Sequence, residues 1–250
     1  MESNLQNKET HKQAVSKAFG LIASFYDKWY DTPLGAYVLE VETAAIAAML
    51  PRPLTGVALD IGVGTGLSLE PVIHRGLYTI GIDLSWRMLQ VAHKKIRNQP
   101  KIDLVMADAE KLPFREGVAE LVTGMTVLEF VPKPLQLLKE IYFCLRPGGH
   151  LILGVLSSSS LWAFERRIRN LVRQDVFSFA RFPSPWQLTR MLRRASFSAV
   201  QYRGSVYASS ITPTGLLPSF AALDEKWGTL WLTRSGGAFL AFHARKPISN

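Results

Sequence analysis

Between residues 57 and 156 short apolar runs alternate with longer amphipathic stretches. Val57-Ala58-Leu59-Asp60-Ile61 is an apolar run that ends in a glycine-rich turn, and the pattern behind it predicts a helix from Leu67 to Arg75. Tyr78 to Asp83 reads as a second strand, and Ser85 as the cap of a helix running to Asn98. Ile102 to Ala107 and Glu120 to Met125 read as strands three and four. Pro134 to Leu145 reads as a helix stopped by Pro147-Gly148-Gly149, and His150 to Leu156 as a fifth strand. Strand and helix at this spacing imply a parallel sheet covered on both faces.

The flanks differ. Residues 1–13 are polar and read as a frayed tail. Val15, Phe19, Ile22 and Tyr26 keep helical spacing over residues 14–31, and an Ala-rich helix follows over 35–50, closed by Pro51 and Pro53. Beyond residue 156 the alternation loosens. Residues 161–182 read as helical, and a helix from Trp186 to Arg194 is introduced by Ser184-Pro185. Residues 198–208 and 237–246 read as strands, with a helix from Phe220 to Leu230 in the long connection between them.

Composition narrows the class. The chain has 250 residues, of which 48% are hydrophobic, enough for a packed core. One cysteine, Cys144, cannot form an internal disulfide or a cysteine-based zinc site, so a reducing, cytoplasmic setting is expected. No signal peptide is expected, and no apolar run reaches the length of about 18 residues of a membrane span. Net charge is +9, with arginines 166, 167, 169, 173, 181, 190, 193 and 194 concentrated in one stretch. Such a stretch is either a solvated helix face or a patch for anionic partners.

The chemistry centres on Gly62-Val63-Gly64-Thr65-Gly66. Glycines let a strand-to-helix turn approach a ligand closely. Asp83 ends the second strand, where a carboxylate accepts hydrogen bonds from ribose hydroxyls. Asp108 ends the third, where a side chain can face an adenine amino group. Three successive strand ends thus line one crevice. The third glycine of a nicotinamide fingerprint would fall at Leu67, a mismatch. Asp60 before the loop would repel a pyrophosphate but suits an ammonium or sulfonium group. S-adenosylmethionine (SAM) has both and carries no phosphate.

The segments Leu59–Gly66, Gly81–Ser85, Ala107–Phe114 and Leu145–Gly149 resemble the successive motifs of class I SAM-dependent methyltransferases. Their order and spacing are similar to the methyltransferase type 11 branch with the ubiquinone and menaquinone biosynthesis enzymes. The resemblance implies an α/β, Rossmann-like fold with a seven-stranded, mostly parallel sheet, helices on both faces and an antiparallel last strand. It implies that Asp60, Ile61, Gly62, Gly64 and Gly66 hold the methionine portion of SAM. Asp83 then holds the ribose, Leu84 and Met88 flank the adenine, Asp108 and Ala109 contact it, and Met125 lies near the methyl group. Tyr26 and Tyr30, with Asp27, cover the site from an N-terminal cap at residues 1–50. The methyltransferase domain is expected over 51–250, with lid insertions at 157–186 and 209–236. S-adenosylhomocysteine is the expected product.

Glu129 and Tyr26 are the candidate catalytic residues, for orienting or deprotonating an acceptor. Aromatics of the two insertions, including Trp162, Phe179 and Trp227, are expected to line a pocket for a small acceptor, apolar or anionic. Two other readings stay open: an RNA or protein methyltransferase using the Arg-rich 166–194 segment, and a non-catalytic SAM-binding module. No acid–histidine cluster suggests a metal.

Overall fold

The computed structural model describes residues 2–170 and 176–248, with side chains described over 9–165 and 176–248. α1 (Glu2–Ile22) is followed by a short 3-10 turn, Tyr26–Trp29, and by α2 (Pro33–Met49). The alternating region gives β1 (Val57–Ile61), α3 (Glu70–Ile73), β2 (Tyr78–Asp83), α4 (Trp86–Ile96), β3 (Ile102–Met106), β4 (Ala119–Met125), α5 (Pro134–Cys144) and β5 (Leu145–Leu156). Then come α6 (Leu161–Asn170), α7 (Pro185–Arg194), β6 (Ser198–Ser205), α8 (Leu217–Thr229) and β7 (Phe239–Arg245).

The seven strands lie in the order β3-β2-β1-β4-β5-β7-β6. The first five are parallel, and β7 runs antiparallel to both β5 and β6. Strand order reverses between β1 and β4, which opens a crevice at their carboxyl ends. The apolar runs are continuous because both faces are covered. Along β5, Leu151, Leu153 and Val155 pack under α5 and α7, while Ile152 packs under α2 with Phe239 and Ala241 of β7. The two-residue period of a strand therefore feeds two cores. The same period in β1 sends Leu59 and Ile61 to one side and Ala58 to the other.

Capping chemistry sets several boundaries. Ser85 Oγ accepts from the Met88 amide, and Ser184 with Gln187 forms a reciprocal capping box on α7. Helical spacing read over 14–31 gives way to a 3-10 turn after Ile22, and of the stretch 161–182 read as helical, α6 covers Leu161–Asn170 and a 3-10 turn Val176–Phe179. Three further boundaries depart from the sequence reading. The polar start of the chain is helix, not a frayed tail: α1 begins at Glu2. Its anchors are distant in sequence. Lys12 Nζ lies 2.5 Å from Asp108 and 2.8 Å from Glu110, and His11 Nε2 lies 3.2 Å from the Phe130 carbonyl. The helix predicted over 67–75 is a 3-10 turn, Leu67–Leu69, plus one turn of α3. β5 starts at Leu145, because that residue pairs with Ala119 ahead of a bulge.

Candidate cofactor site

A single cleft opens over the carboxyl ends of β1, β2, β3 and β4. It encloses about 1140 Å³ of space, solvent at its mouth included. Its floor is Gly62, Val63, Gly64 and Thr65. Asp83, Leu84, Ser85 and Met88 form one wall, Asp108 and Ala109 continue it, and Met125, Thr126, Val127 and Phe130 stand opposite. Phe19, Tyr26 and Tyr30 cover it from the N-terminal segment.

Gly62 allows this approach. Its φ is +72°, and a Cβ there would meet the Val127 side chain at 2.7 Å. The amides of Gly62 and Val63 both donate to the Ile82 carbonyl, at 2.7 and 3.0 Å. Asp83 braces the loop: its Oδ2 accepts from Gly64 N at 2.9 Å and its Oδ1 from Ser85 N at 2.7 Å. Burial pushes the Asp83 carboxyl up, against the opposing pull of these N–H groups. Asp108 Oδ1 accepts from Glu110 N at 2.9 Å, and its Oδ2 takes Lys12.

The N-terminal turn is tied to the same loop through Asp27. Thr65 Oγ1 donates to Asp27 Oδ1 at 2.7 Å, and Lys95 forms an ion pair with the other oxygen. Tyr26 and Tyr30 lie with ring centroids 6.1 Å apart, and their hydroxyls are hydrogen-bonded to each other. Burial raises both phenol pKa values, and the nearby carboxylate of Glu42 adds to the effect. At neutral pH both phenols keep their protons, with Tyr30 donating to Tyr26.

Most predicted site residues meet in this cleft: Tyr26, Tyr30, Gly62, Gly64, Asp83, Leu84, Met88, Asp108, Ala109 and Met125 all line it. Four do not. Ile61 is core, and Gly66 turns away into the start of α3 with its amide on the Val63 carbonyl. Asp60 is fully buried behind the wall, where Ser68 donates to it at 2.5 Å and Thr123 at 2.7 Å. Glu129 is also buried; the 3-10 turn Leu128–Phe130 aims its Oε1 at the Leu156 amide, 2.5 Å away. Glu129 follows the end of β4, but the turn rotates its side chain away from the mouth.

The insertion aromatics do not line this cleft either. Trp162 donates to the Ala208 carbonyl, and Trp227 packs on Tyr207. Phe177 and Phe179 back the wall against Phe130 and His11. Phe164, Trp186 and Trp231 are exposed. Of the Arg-rich segment, Arg173 and the side chains of Arg166, Arg167 and Arg169 lie outside the described residues. Lys12, Thr65, Ser68 and Glu42 line the cleft without having been foreseen. Glu42 had one signal: a carboxylate on the helix face that also carries Val38, Val41 and Ala45.

Buried Asp60 has a measurable consequence. Burial lifts its pKa to about 6, Asp83 adds to the rise, and the two hydroxyls oppose it. An acid with a raised folded pKa stabilises the fold fully below its unfolded pKa of about 3.9, and that contribution is lost as pH rises through about 6. At 1.36 kcal/mol per unit the loss is roughly 3 kcal/mol. Asp60→Asn, which keeps the hydroxyl partners, is expected to gain stability over the wild type by about that amount between pH 4 and pH 7. Urea denaturation at the two pH values measures it, and a difference that does not change with pH counts against the buried charge.

The chemistry of the lining fits a phosphate-free, cationic nucleoside. Its one described cation, Lys12, is committed to Asp108 and Glu110, so no described side chain of the lining is an unpaired cation for a pyrophosphate. The family described as a methyltransferase domain matches residues 59–153, the stretch that builds β1 to β5 and the cleft floor. Residues 59–153 thus carry a methyltransferase domain of the class I, SAM-dependent type. Relatives agree. The chain is 33% identical over 154 residues to a malonyl-[acyl-carrier protein] O-methyltransferase of Marinomonas sp., covering 61% of this chain and 55% of that protein. It is 29% identical over 159 residues to a ubiquinone biosynthesis O-methyltransferase of Marinobacter nauticus, covering 60% and 67%. The match thus spans little more than half of the first relative's length. A Thermotoga maritima SAM-dependent methyltransferase, described as a possible histamine N-methyltransferase, shares the fold at TM-score 0.71 and 23% identity, covering 93% of this chain and 99% of that one. No helix among the described residues is long and apolar enough to cross a membrane.

Proposed function

We propose that the protein transfers the methyl group of SAM to a small, largely apolar acceptor inside this cleft. One observation carries the reading: the ends of β1, β2 and β3 bring a glycine loop, Asp83 and Asp108 around one cavity whose only described cation is already paired. Asp83 is assigned the ribose hydroxyls, and Asp108 with Ala109 the adenine. Leu84 and Met88 flank the base, and Gly62 and Gly64 let the methionine portion approach the backbone. When bound, SAM supplies an electrophilic methyl group and its own leaving group.

The chain's own part is orientation and exclusion of water, which in well-ordered systems lowers a barrier by about 7–11 kcal/mol. Tyr30 donates to Tyr26, and the Tyr26 O–H is left to orient a group beneath it. Residues 1–50 close the site, and Phe19, Tyr26, Tyr30 and Phe130 supply its aromatic surface. The segments 157–186 and 209–236 then act as supports for that wall. Among the described residues the lining has no cation beyond the paired Lys12, which favours a neutral acceptor.

Two measurements test the reading. Calorimetry should give SAM binding and none of comparable affinity for NADH. Turnover of SAM to S-adenosylhomocysteine should appear for a member of a panel of phenols, quinols, thiols, amines and carboxylates. SAM binding with no turnover across the panel would favour a binding module. Turnover that needs RNA, and weakens steeply with salt, would favour the nucleic-acid reading.

A further inference from the structure

α1 and the turn after it have two apolar sides. Val15, Phe19 and Tyr26 face the cleft. Leu21, Phe25 and Trp29, spaced four residues apart, are instead 59%, 50% and 41% exposed. The segment lies along α4. A Cβ on Gly20 would stand 3.4 Å from Arg87 Cδ, and Asp27 pairs with Lys95, about two turns further along that helix. Trp86, the first residue of α4, is 61% exposed beside the first of these contacts. Leu84, also exposed, joins this surface to the cleft that it lines. Exposed apolar residues scattered singly are ordinary, but five large ones on adjoining segments form the kind of patch that marks an interaction site.

Charge says what the patch fits. From Thr10 to Tyr26 the chain has no acid, and α4 has none either. Lys17, Lys28, Arg87 and Lys94 are exposed around the patch, and among the described residues none of the four is in an ion pair. Of the acids in the turn, Asp27 is held by Thr65 and Lys95, which leaves Asp31. A second copy of the chain would set the same lysines against each other across a two-fold axis. Nucleic acid would meet the lysines, but Leu21 and Leu84 offer nothing on which a base stacks. An anionic membrane surface answers both halves. Trp, Phe and Leu enter the boundary between headgroups and acyl chains, while long cationic side chains rest on the headgroups.

We propose that the outer face of α1, the turn after it and the start of α4 dock on an anionic membrane surface. Leu21, Phe25, Trp29 and Trp86 enter the interface, and Lys17, Lys28, Arg87 and Lys94 meet acidic headgroups. Leu84 then brings the mouth of the cleft to the lipid, where apolar acceptors collect. The docking itself does not depend on the SAM reading of the cleft. The test is co-sedimentation of the full chain with vesicles of equimolar phosphatidylglycerol and phosphatidylcholine, beside vesicles of phosphatidylcholine alone. The wild type should bind the anionic vesicles at least about tenfold more tightly, and salt should shrink that preference. Leu21→Ser/Phe25→Ser/Trp86→Ser should lose at least about tenfold in affinity for the anionic vesicles. It should melt within about 2 °C of the wild type, since surface substitutions cost little. Lys17→Glu/Lys28→Glu/Lys94→Glu should also lose at least about tenfold.

Wild-type protein that stays in the supernatant overturns the proposal. So does an apolar triple variant that pellets like the wild type, which would move the contact to another face. If that variant does not fold, as its melting curve reports, Trp86→Ser alone is read in its place. It should lose at least about threefold, roughly what partial withdrawal of one side chain from the interface gives, and unchanged affinity overturns the proposal. Protein that ignores vesicles but forms a dimer that the apolar substitutions dissolve gives the patch to a second copy. Protein that ignores vesicles but binds RNA through the lysines gives it to nucleic acid. Either result overturns lipid docking.

Discussion

Asp83→Ala is expected to weaken SAM by at least about a hundredfold. The carboxylate has two tasks, and the substitution removes both. Toward the ligand, in its proposed role, it would offer oxygens to two ribose hydroxyls, and hydrogen bonds to a charged group contribute about 1.5–3 kcal/mol each. Toward the protein it accepts from Gly64 N and Ser85 N, and so fixes the glycine loop against the start of α4. Alanine leaves both amides without that partner in a buried place, at about 1–3 kcal/mol apiece. Stability should therefore fall along with affinity. The ribose is common to S-adenosylhomocysteine and 5′-methylthioadenosine, so Asp83→Ala should weaken both by similar factors. Asp83→Asn keeps one acceptor and should be intermediate. SAM affinity within about threefold of the wild type, in a folded Asp83→Ala protein, would show that the ribose lies elsewhere.

How far the site was legible follows from where each residue's partners lie. The glycine loop, Asp83 and Asp108 belong to strand ends, and strand ends are marked locally by apolar runs that stop at Gly, Asp or Ser. Those positions could be read one by one. Asp60 could be read as a residue but not as a direction. In β1 it shares a face with Ala58, so its side chain turns toward Ser68 and Thr123, not toward the cleft. Glu129 failed for a related reason: the 3-10 turn after β4 decides where it points.

The N-terminal helix was obscured differently. Its first half carries no apolar stripe, and its fixed points, Lys12 on Asp108 and His11 on Phe130, are separated from their partners by 96 and 119 residues. No local pattern encodes such contacts. Glu42 lay inside a segment that reads as an ordinary Ala-rich helix. Only the clash between its charge and the apolar face around it marked the position.

The N-terminal cover depends on one backbone contact, and breaking it gives the second large effect. In Gly35→Ala the new Cβ would lie 2.0 Å from the Trp29 carbonyl oxygen and 2.8 Å from the Tyr30 Cα. Both are backbone atoms, so no side chain can rotate away. The close approach is built by Thr32. Its Oγ1 donates to the Trp29 carbonyl at 2.7 Å and accepts the Gly35 amide at 3.1 Å, which locks the turn to the first residues of α2. To admit a methyl group, the turn must leave α2 or the first turn of α2 must unwind. Overpacking of this kind costs about 1–3 kcal/mol or more. At roughly 2–4 °C per kcal/mol for a chain of this size, Tm should fall by about 2–12 °C. The displaced turn carries Tyr26 and Tyr30, and Asp27 ties it to Thr65 of the glycine loop. SAM affinity should therefore drop with stability, although residue 35 does not line the cleft. Gly215→Ala is the matched control, because a Cβ there meets nothing within 4 Å. If Gly35→Ala melts and binds like Gly215→Ala, the contact with α2 is not what holds the turn. If it melts lower yet binds SAM normally, the two tyrosines do not help to form the site.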